Sequence, residues 1–362
     1  MPSHHQSAHL RGLAIDNDVH LFLDRMDSPM RAAMGCPTPS HANVRIRQSG
    51  DAQEIRRVLH HQPPEAVNVV SGLGRECAAA RTILEWNGLR GRPTVVVSEA
   101  GEIGDWLSIP RRIYYSMRAR SLARQPLLLL GMGGVGVRWF VRVGFPAARV
   151  REFAYPVDEG HVLEQSDANR TQCDTVRLTF VGSLIRRKRV DLLLQALTNL
   201  PGRWRLQVIG DGPERDSLRA HADQAGLAER IDWHGSLAND SAMSYLRMSD
   251  ALILPSRHDG WGAVVGEALS HGARVVVSDA CGSAALIRGA EQGFTFRSGD
   301  ASDLRRRLAV IIENGPRAAQ DRVQLANWAR CVQGPAMARY LDQVVEALLF
   351  GVGSVPLPPW EQ

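Results

Sequence analysis

Several residue types and segments are scarce in this 362-residue chain, and each scarcity excludes a class of protein. The five cysteines lie far apart and form no C-x-x-C pair, which argues against a disulfide framework and a cysteine-rich zinc site. No apolar run reaches the roughly 18 residues that a membrane-spanning helix needs, so we expect no integral membrane segment. The N-terminus lacks the apolar core of a signal peptide, so we expect a cytoplasmic protein.

Lysine is the scarcest charged residue. Of 43 basic residues, 42 are arginine and one is lysine, Lys188. With 38 acidic residues the net charge is +5, which is too small to indicate a nucleic-acid partner and is compatible with a basic patch on one face. The position of Lys188 is therefore informative, because a compact ammonium contacts anions differently from a planar guanidinium.

Short apolar runs alternate with segments of helical spacing from residue 176 onward. The runs occupy 178–181, 206–209, 231–233, 251–254 and 274–277. This alternation predicts right-handed βαβ crossovers and a parallel sheet, with ligands beyond the carboxyl ends of the strands. The first half repeats the pattern less regularly, at 66–70, 94–97 and 126–130.

We therefore predict an α/β protein with two Rossmann-like domains, since a chain of this length is expected to form about two domains. The predicted boundaries are 1–157 for the first domain and 172–335 for the second, with the polar stretch 158–174 between them. A C-terminal helix and tail are predicted over 336–362, where prolines lie beyond the end of the helix.

Most of the chemistry lies in the stretch 255–282, which reads P-S-R-H-D-G-W-G-A-V-V-G-E-A-L-S-H-G-A-R-V-V-V-S-D-A-C-G. It predicts a glycine-containing loop after a strand, a helix from about 262 to 271, and a further strand. Glycines let a ligand approach the backbone, and the unpaired N–H groups of a first helical turn favour an anion. Asp259 in the loop and Glu267 in the second turn flank one site, where Glu267 can accept hydrogen bonds from a ribose diol.

This stretch resembles the donor-site signature of the retaining glycosyltransferases of family 4, which belong to the glycosyl transferases group 1. The family pattern is E-x(7)-E inside P-S-x-x-E-G-x-G; here the first acid is Asp259, one methylene shorter, and the second is Glu267. The resemblance implies the GT-B architecture, in which two Rossmann-like domains face a cleft and the C-terminal helix returns to the first domain.

A second segment, 180–197, resembles the family's G-R-L-x-x-x-K-G element, whose Arg and Lys neutralise the donor pyrophosphate. Lys188 falls on the family lysine, whereas Ser183 stands at the position of the arginine. Arg186, Arg187 and Arg189 are the candidates to supply the missing charge. The segments 208–214 and 231–235 also resemble family elements, and the loop after the latter would line the nucleobase pocket.

The resemblance implies that the donor is bound by residues on the loops that follow the strands of the second domain. The expected donor-binding residues are Gly182, Ser183, Gly210, Gly235, Gly260, Trp261, Gly262, Ala263 and Val264. In the first domain the resemblance is faint. Glu99 stands where family members often place a histidine beside the donor sugar, and it is the candidate replacement.

The resemblance implies a hexosyltransferase-type enzyme that moves a sugar from a nucleoside diphosphate sugar to a hydroxyl acceptor with retention of the anomeric configuration. Lys188, the backbone of 260–264 and the helix dipole would stabilise the leaving diphosphate, so we expect neither a metal ion nor a cofactor. The leaving phosphate can itself take the acceptor's proton. Catalytic roles are therefore expected for Lys188, Asp259, Glu267 and Glu99, in the synthesis of a surface polysaccharide or glycolipid.

Two other functions stay open. Ser183 and Asp259 depart from the family pattern, which also suits a catalytically silent protein that binds a nucleotide sugar. The segment 127–140 satisfies G-x-G-x-x-G after a strand, as in NAD-dependent oxidoreductases, but no acid ends the next strand about 20 residues on. Asp16-Asn17-Asp18 spells the D-x-D of metal-dependent glycosyltransferases, although a solvated turn explains it better, and the 12 histidines show no metal-ligand spacing.

The segment 111–124 interleaves arginines with apolar and aromatic residues. Its arginines are Arg111, Arg112, Arg118, Arg120 and Arg124. Such a segment is typical of a surface that contacts anionic lipid head groups, and it is equally typical of a solvated helix face. A lipid-linked sugar as acceptor would favour the first interpretation and a location on the inner face of the plasma membrane.

Overall fold

The structure is a computed structural model, and it describes residues 4–23, 43–48, 51–73, 77–101, 108–160, 162 and 174–362. Most of the predicted linker 158–174 lies outside these residues, as do Cys36 and Cys173. The chain divides into two compact units. The first unit contains the described residues up to Pro156 together with those from Val332 to Gln362, and the second unit contains those from Val157 to Cys331.

The boundaries between the units differ from the predicted ones at two places. Residues after Pro156 already belong to the second unit, because Val157 lies so close to Gly266 that a Cβ built there would be 2.9 Å from its side chain. Residues 332–335 belong to the first unit rather than the second, because the C-terminal helix already begins at Gly334 and not at 336.

The second unit is built on one parallel sheet of six strands. The strands are β7 (Val176–Val181), β8 (Trp204–Ile209), β9 (Ile231–Gly235), β10 (Ala251–Leu254), β11 (Arg274–Ser278) and β12 (Gly293–Phe296). Their spatial order is β12-β11-β10-β7-β8-β9. The chain therefore proceeds outward in one direction from β7 and in the other from β10, which makes the β7/β10 boundary a topological switch point.

In the described part of this unit, four α-helices connect strands and two more follow β12. They are α6 (Val190–Leu197), α7 (Arg215–Gln224), α8 (Asn239–Met248), α9 (Val264–Ser270), α10 (Ala301–Glu313) and α11 (Ala319–Trp328). The central strands β10 and β11 are almost wholly apolar and buried, as expected for a parallel sheet that is covered on both faces. The predicted α/β alternation is thus confirmed in this unit.

The first unit contains a parallel sheet of four strands and a separate parallel pair. The four-stranded sheet has the order β3 (Asn68–Ser71), β4 (Thr94–Ser98), β5 (Leu127–Met132) and β6 (Val150–Phe153); the pair is β1 (Val19–Leu23) with β2 (Val44–Gln48). The helices are α1 (His4–Leu13), α2 (Ala52–His60), α3 (Ala78–Arg90), α4 (Ser108–Leu122), α5 (Gly133–Arg142) and α12 (Gly334–Val345).

The C-terminal helix α12 returns to the first unit and packs along α1. The two helices approach very closely where Gly12 faces Gly334, since a Cβ on either residue would overlap the backbone of the other helix. None of the helices in the described ranges is long and apolar enough to cross a bilayer.

Candidate functional site

The loops that follow β7 and β10 diverge from the switch point of the second unit. The first loop leads from Gly182 to a short 3₁₀ turn, Arg186–Lys188, and the second runs from Pro255 to Ala263. Adjacent strands whose connections leave in opposite directions open a crevice at their carboxyl ends. The sequence order thus brings two segments, separated by about 70 residues, to one edge of the sheet.

Three of the predicted donor-binding glycines lie side by side at this edge. The backbone N–H of Gly182 donates to Ile209 O at 2.9 Å, and that of Gly210 donates to Gly235 O at 2.7 Å. Gly210 has a φ of +136°, and a Cβ there would overlap the carbonyl of Gly182. These glycines therefore allow close approach of the chain at the ends of β7, β8 and β9.

The lone lysine is held by the first acid of the signature. Lys188 Nζ donates to Asp259 Oδ2 at 2.6 Å, and the side chains of Lys188 and Asp259 are only 15% and 14% exposed. Arg187 Nη1 lies 3.9 Å from the other carboxylate oxygen, Asp259 Oδ1. Two cationic side chains thus converge on one carboxylate, as they would on a bound anion.

Among the three arginines considered for the missing charge, only Arg187 lies at this cluster. Its Nη1 donates to the carbonyl oxygen of His258 at 2.7 Å, next to Asp259. Arg186 is 93% exposed and pairs with Glu214, and Arg189 donates through its Nε to both oxygens of Asp191. Sequence spacing alone left these three equivalent, because only the 3₁₀ turn decides which side chain turns inward.

Backbone contacts fix the loop that carries Asp259. The N–H of Gly282 donates to Asp259 O at 3.1 Å, and the N–H of Ser283 donates to Trp261 O at 2.8 Å. Gly262 has a φ of +86°, and a Cβ there would lie 2.6 Å from Leu254 Cδ2, so the turn requires glycine. The Trp261 side chain is 1% exposed, so its indole anchors the loop, and its contact with a donor stays a prediction.

The helix after this loop starts later than predicted. Helix α9 begins at Val264 instead of 262, because Gly262 has left-handed backbone geometry, and it contains only seven residues. Gly260, Gly262 and Ala263 therefore precede the helix, and Glu267 lies in its first turn instead of its second. The helix thus begins two residues after the predicted start, and the contact of its first turn with a phosphate stays a prediction.

The second acid, Glu267, has an unusual ionisation. Burial, followed by the negative charge of Asp158, raises the pKa of Glu267 to about 7. Asp158 was assigned to a linker by the sequence, and no local pattern marked it as the neighbour of a residue more than a hundred positions later. The site therefore contains a carboxyl group that titrates near neutral pH.

Glu99 belongs to the first unit. It is exposed and follows β4, and the phenol of Tyr155 forms a hydrogen bond with its carboxylate. Burial, followed by the charge of Glu99, raises the pKa of Tyr155, so the phenol remains the donor. Tyr155 was not identified from the sequence; the available signal is its position two residues after β6, which pairs with β5, the neighbour of β4.

Two motifs that suggested other chemistry have structural explanations. Gly131 in β5 and Gly136 in α5 face each other, since a Cβ on Gly131 would lie 2.9 Å from the backbone of Gly136. This G-x-G-x-x-G segment thus permits close helix–strand packing.

The D-x-D motif lies at the surface, where Asp18 is exposed and contacts His20 and Arg45. Nowhere in the described ranges do three or more His, Cys, Asp or Glu residues cluster so as to hold a metal ion.

Comparison with known proteins relates the second unit to a family. Residues 163–330 match the family model of the glycosyl transferases group 1. The lipopolysaccharide core biosynthesis glycosyltransferase LpsE of Rhizobium meliloti is 30% identical over 142 residues, which are 39% of this chain and 41% of that protein. The alpha-D-kanosaminyltransferase of Streptomyces kanamyceticus is 26% identical over 193 residues, half of each chain. The chain thus spans about half or less of the length of these curated relatives.

Solved structures match nearly the whole chain at low identity. Anabaena Alr3699/HepE, crystallised with UDP, has a TM-score of 0.72 and 16% identity, covering 96% of this chain and 97% of that one. Sucrose-phosphate synthase from Thermosynechococcus elongatus has a TM-score of 0.70 and 14% identity, covering 96% and 92%. The protein therefore has the GT-B fold of two Rossmann-like units, and its residues 163–330 match the family model of the glycosyl transferases group 1.

Proposed function

We propose that the protein transfers a sugar from a nucleoside diphosphate sugar to a hydroxyl group of an acceptor, with retention of the anomeric configuration. The observation that carries this proposal is the pair of cations, Arg187 and Lys188, that meets Asp259 at the β7/β10 switch point. A diphosphate requires such convergent positive charge, and a crevice of this kind is where open α/β sheets bind ligands. The relatives named above supply the reaction class.

In this proposal the diphosphate replaces Asp259 as the anion beside Lys188 and Arg187. The two cations stabilise the negative charge that develops on the leaving diphosphate, so turnover needs no metal ion. Asp259, released from Lys188, accepts hydrogen bonds from the sugar hydroxyls. Glu267 accepts from the ribose diol, and Glu99 is the candidate contact of the sugar in the first unit.

Retention follows from a front-face displacement. The bond between the sugar C1 and the diphosphate oxygen breaks, and the bond between C1 and the acceptor oxygen forms on the same face. The acceptor's proton passes to an oxygen of the leaving diphosphate, which removes the need for a protein base. NMR of the purified product reads the anomeric configuration, and inversion would contradict this mechanism.

We propose a hexose donor and an acceptor on a growing surface polysaccharide or glycolipid, including a lipid-linked sugar. HepE has been crystallised with UDP and UDP-glucose, and LpsE is named for lipopolysaccharide core biosynthesis, so UDP-hexoses are the first donors to test. An enzyme that glycosylates a lipid-linked acceptor would act at a membrane surface in the cytoplasm, as a peripheral protein.

The proposal is tested by binding and turnover together. A nucleoside diphosphate present at 100 times its dissociation constant should add about 2.7 kcal/mol to the unfolding free energy, which a thermal-shift series over UDP, GDP, ADP and TDP detects. Turnover with the matching sugar nucleotides should persist in excess EDTA. Loss of turnover in EDTA, with rescue by Mn²⁺ or Mg²⁺, would contradict the metal-independent step.

A catalytically silent binding protein is the second candidate. It is favoured by the position of Ser183, where the family has arginine, and by the direct ion pair that occupies both Lys188 and Asp259. Tight nucleotide binding without transfer to water or to any of a panel of saccharide and lipid-linked acceptors would support this candidate over the enzyme.

A further inference from the structure

Helix α4 presents an apolar stripe to solvent. Ile109, Ile113 and Met117 are 66%, 57% and 63% exposed, and their spacing of four residues places them on one face. The opposite face of the helix packs into the core of the first unit through Tyr115, Ala119 and Leu122. The exposed stripe is therefore additional to the face that folding requires.

Arginines lie beside this stripe. At 100° per residue, Arg120 falls between the three apolar residues and Arg112 lies at their flank; both are exposed, as is Arg124 just beyond the helix. No acidic residue occurs between 108 and 124. These three guanidinium groups form no ion pair within the described part of the chain, so their positive charge faces solvent.

The other two arginines of the segment are used inside the first unit. Arg118 Nη2 donates to Leu73 O at 3.0 Å, and the Cδ of Arg111 lies 2.7 Å from where a Cβ of Gly101 would be. The five arginines thus separate into an inward pair and an outward set. A merely solvated face would not require isoleucine and methionine between its arginines.

We propose that this outward face of α4, comprising Ile109, Arg112, Ile113, Met117 and Arg120, docks on an anionic lipid bilayer. The apolar stripe enters the boundary between head groups and acyl chains, and the arginines pair with the phosphates above it. Charge complementarity favours a lipid surface as the partner. An anionic bilayer presents negative head groups all around the helix, so the arginines meet a phosphate however the protein is turned in the plane of the membrane. This surface is independent of the donor site in the second unit.

The experiment is co-sedimentation of the full chain with vesicles of phosphatidylcholine alone and with added phosphatidylglycerol, at low and high salt. The wild-type protein should bind the anionic vesicles at low salt and be released as the salt concentration rises, because screening shortens the Debye length from about 30 Å at 0.01 M to about 10 Å at 0.1 M. Equal recovery with both kinds of vesicle, or no binding to either, would overturn the proposal.

Two variants and their matched controls assign the surface. The double change Arg112→Gln and Arg120→Gln should weaken binding about fivefold for each arginine. The triple change of Ile109, Ile113 and Met117 to serine should weaken it at least about tenfold, since the stripe no longer gains from burial. The controls are Arg56→Gln and Leu89→Ser, which alter an exposed arginine on α2 and an exposed leucine on α3 of the same unit.

Unchanged unfolding temperatures would show that the variants remain folded, as their exposure leads us to expect. Wild-type vesicle binding by either α4 variant, or equal losses in the controls, would contradict the assignment. If the triple change instead converted a dimer to a monomer in light scattering and left vesicle binding unaltered, the face would be an interface between copies of the chain, and the lipid proposal would be wrong.

Discussion

The two units use parallel sheets in different ways. In the second unit the strand order reverses between β7 and β10, and the candidate residues Lys188, Arg187 and Asp259 meet where it reverses. In the first unit the four described strands of the larger sheet follow one another in chain order, and no switch point lies among them. Its candidate, Glu99, accepts a hydrogen bond from the phenol of Tyr155.

This difference explains why the sequence of the second unit predicts a binding site more readily than that of the first. A nucleoside diphosphate presents the same phosphates and ribose to every protein that binds it, and a crevice with glycines and cations meets that demand by a recurring pattern. An acceptor sugar has no such constant part. We therefore expect substitutions in the second unit to change nucleotide affinity and kcat more than substitutions in the first unit.

The largest effect is expected from Lys188→Ala. Loss of a charge-assisted contact with the diphosphate should lower kcat/KM and nucleotide affinity at least about tenfold. The control, Arg186→Ala, removes an exposed charge and should change either value by less than about twofold. Steady-state kinetics and calorimetric titration with a nucleoside diphosphate give both numbers, and wild-type behaviour of the lysine variant would remove it from the site.

Asp259→Asn should separate binding from turnover. Because Asp259 neutralises Lys188 in the structure, its loss should tighten the binding of a nucleoside diphosphate, while kcat falls about tenfold because the contact with the sugar is weakened. Asp259→Glu keeps the charge but adds a methylene to a loop already fixed at Gly262 and Gly282, so we expect lower activity. Higher activity with glutamate would instead indicate a relative that has lost function.

Arg187→Gln should reduce nucleotide affinity about fivefold, a smaller loss than that of Lys188 because Arg187 is farther from Asp259. Arg189→Gln is the matched control, since its guanidinium is engaged by Asp191. Restoration of affinity by Ser183→Arg in the Arg187→Gln background would sharpen the assignment; equal losses in Arg187→Gln and Arg189→Gln would refute it.

Glu267 should make donor binding depend on pH. If its ionised form accepts hydrogen bonds from the ribose, as proposed, the KM for a sugar nucleotide should fall about threefold as pH rises through about 7. The folded state also keeps a proton that the unfolded chain releases, so the unfolding free energy should fall between pH 4.5 and about 7. Glu267→Gln should remove both dependences, and their persistence would assign them to another group.

The smallest effect is expected in the first unit. Tyr155→Phe removes the hydrogen bond that orients Glu99, and kcat should fall about twofold with nucleotide affinity unchanged. Glu99→Gln should act in the same direction. A loss in kcat as large as that of Lys188→Ala would break the comparison between the units, because the first unit would then contribute equally to the reaction.

Five of the six strands described in the second unit were predicted from apolar runs; 251–254 coincides with β10 and 178–181 lies within β7, whereas β12, a short and half-buried strand, was not predicted. The pairing of Lys188 with Asp259 was not predictable, because the two residues are 71 positions apart and only the sheet order brings them together. The start of α9 was predicted two residues too early because the sequence does not reveal the positive φ of Gly262. Helix α1 lies in a polar segment, and its partner α12 comes from a distant part of the chain.

The close contact between Gly12 and Gly334 bears on how the chain folds as it is synthesised. The second unit is one uninterrupted stretch from Val157 to Cys331, whereas the first unit needs residues from both sides of it. At about 5–20 residues per second on the ribosome, α1 emerges tens of seconds before α12 exists. Throughout that interval α12 is not yet available to cover α1, so the first unit can complete its fold only after the whole of the second unit has been synthesised.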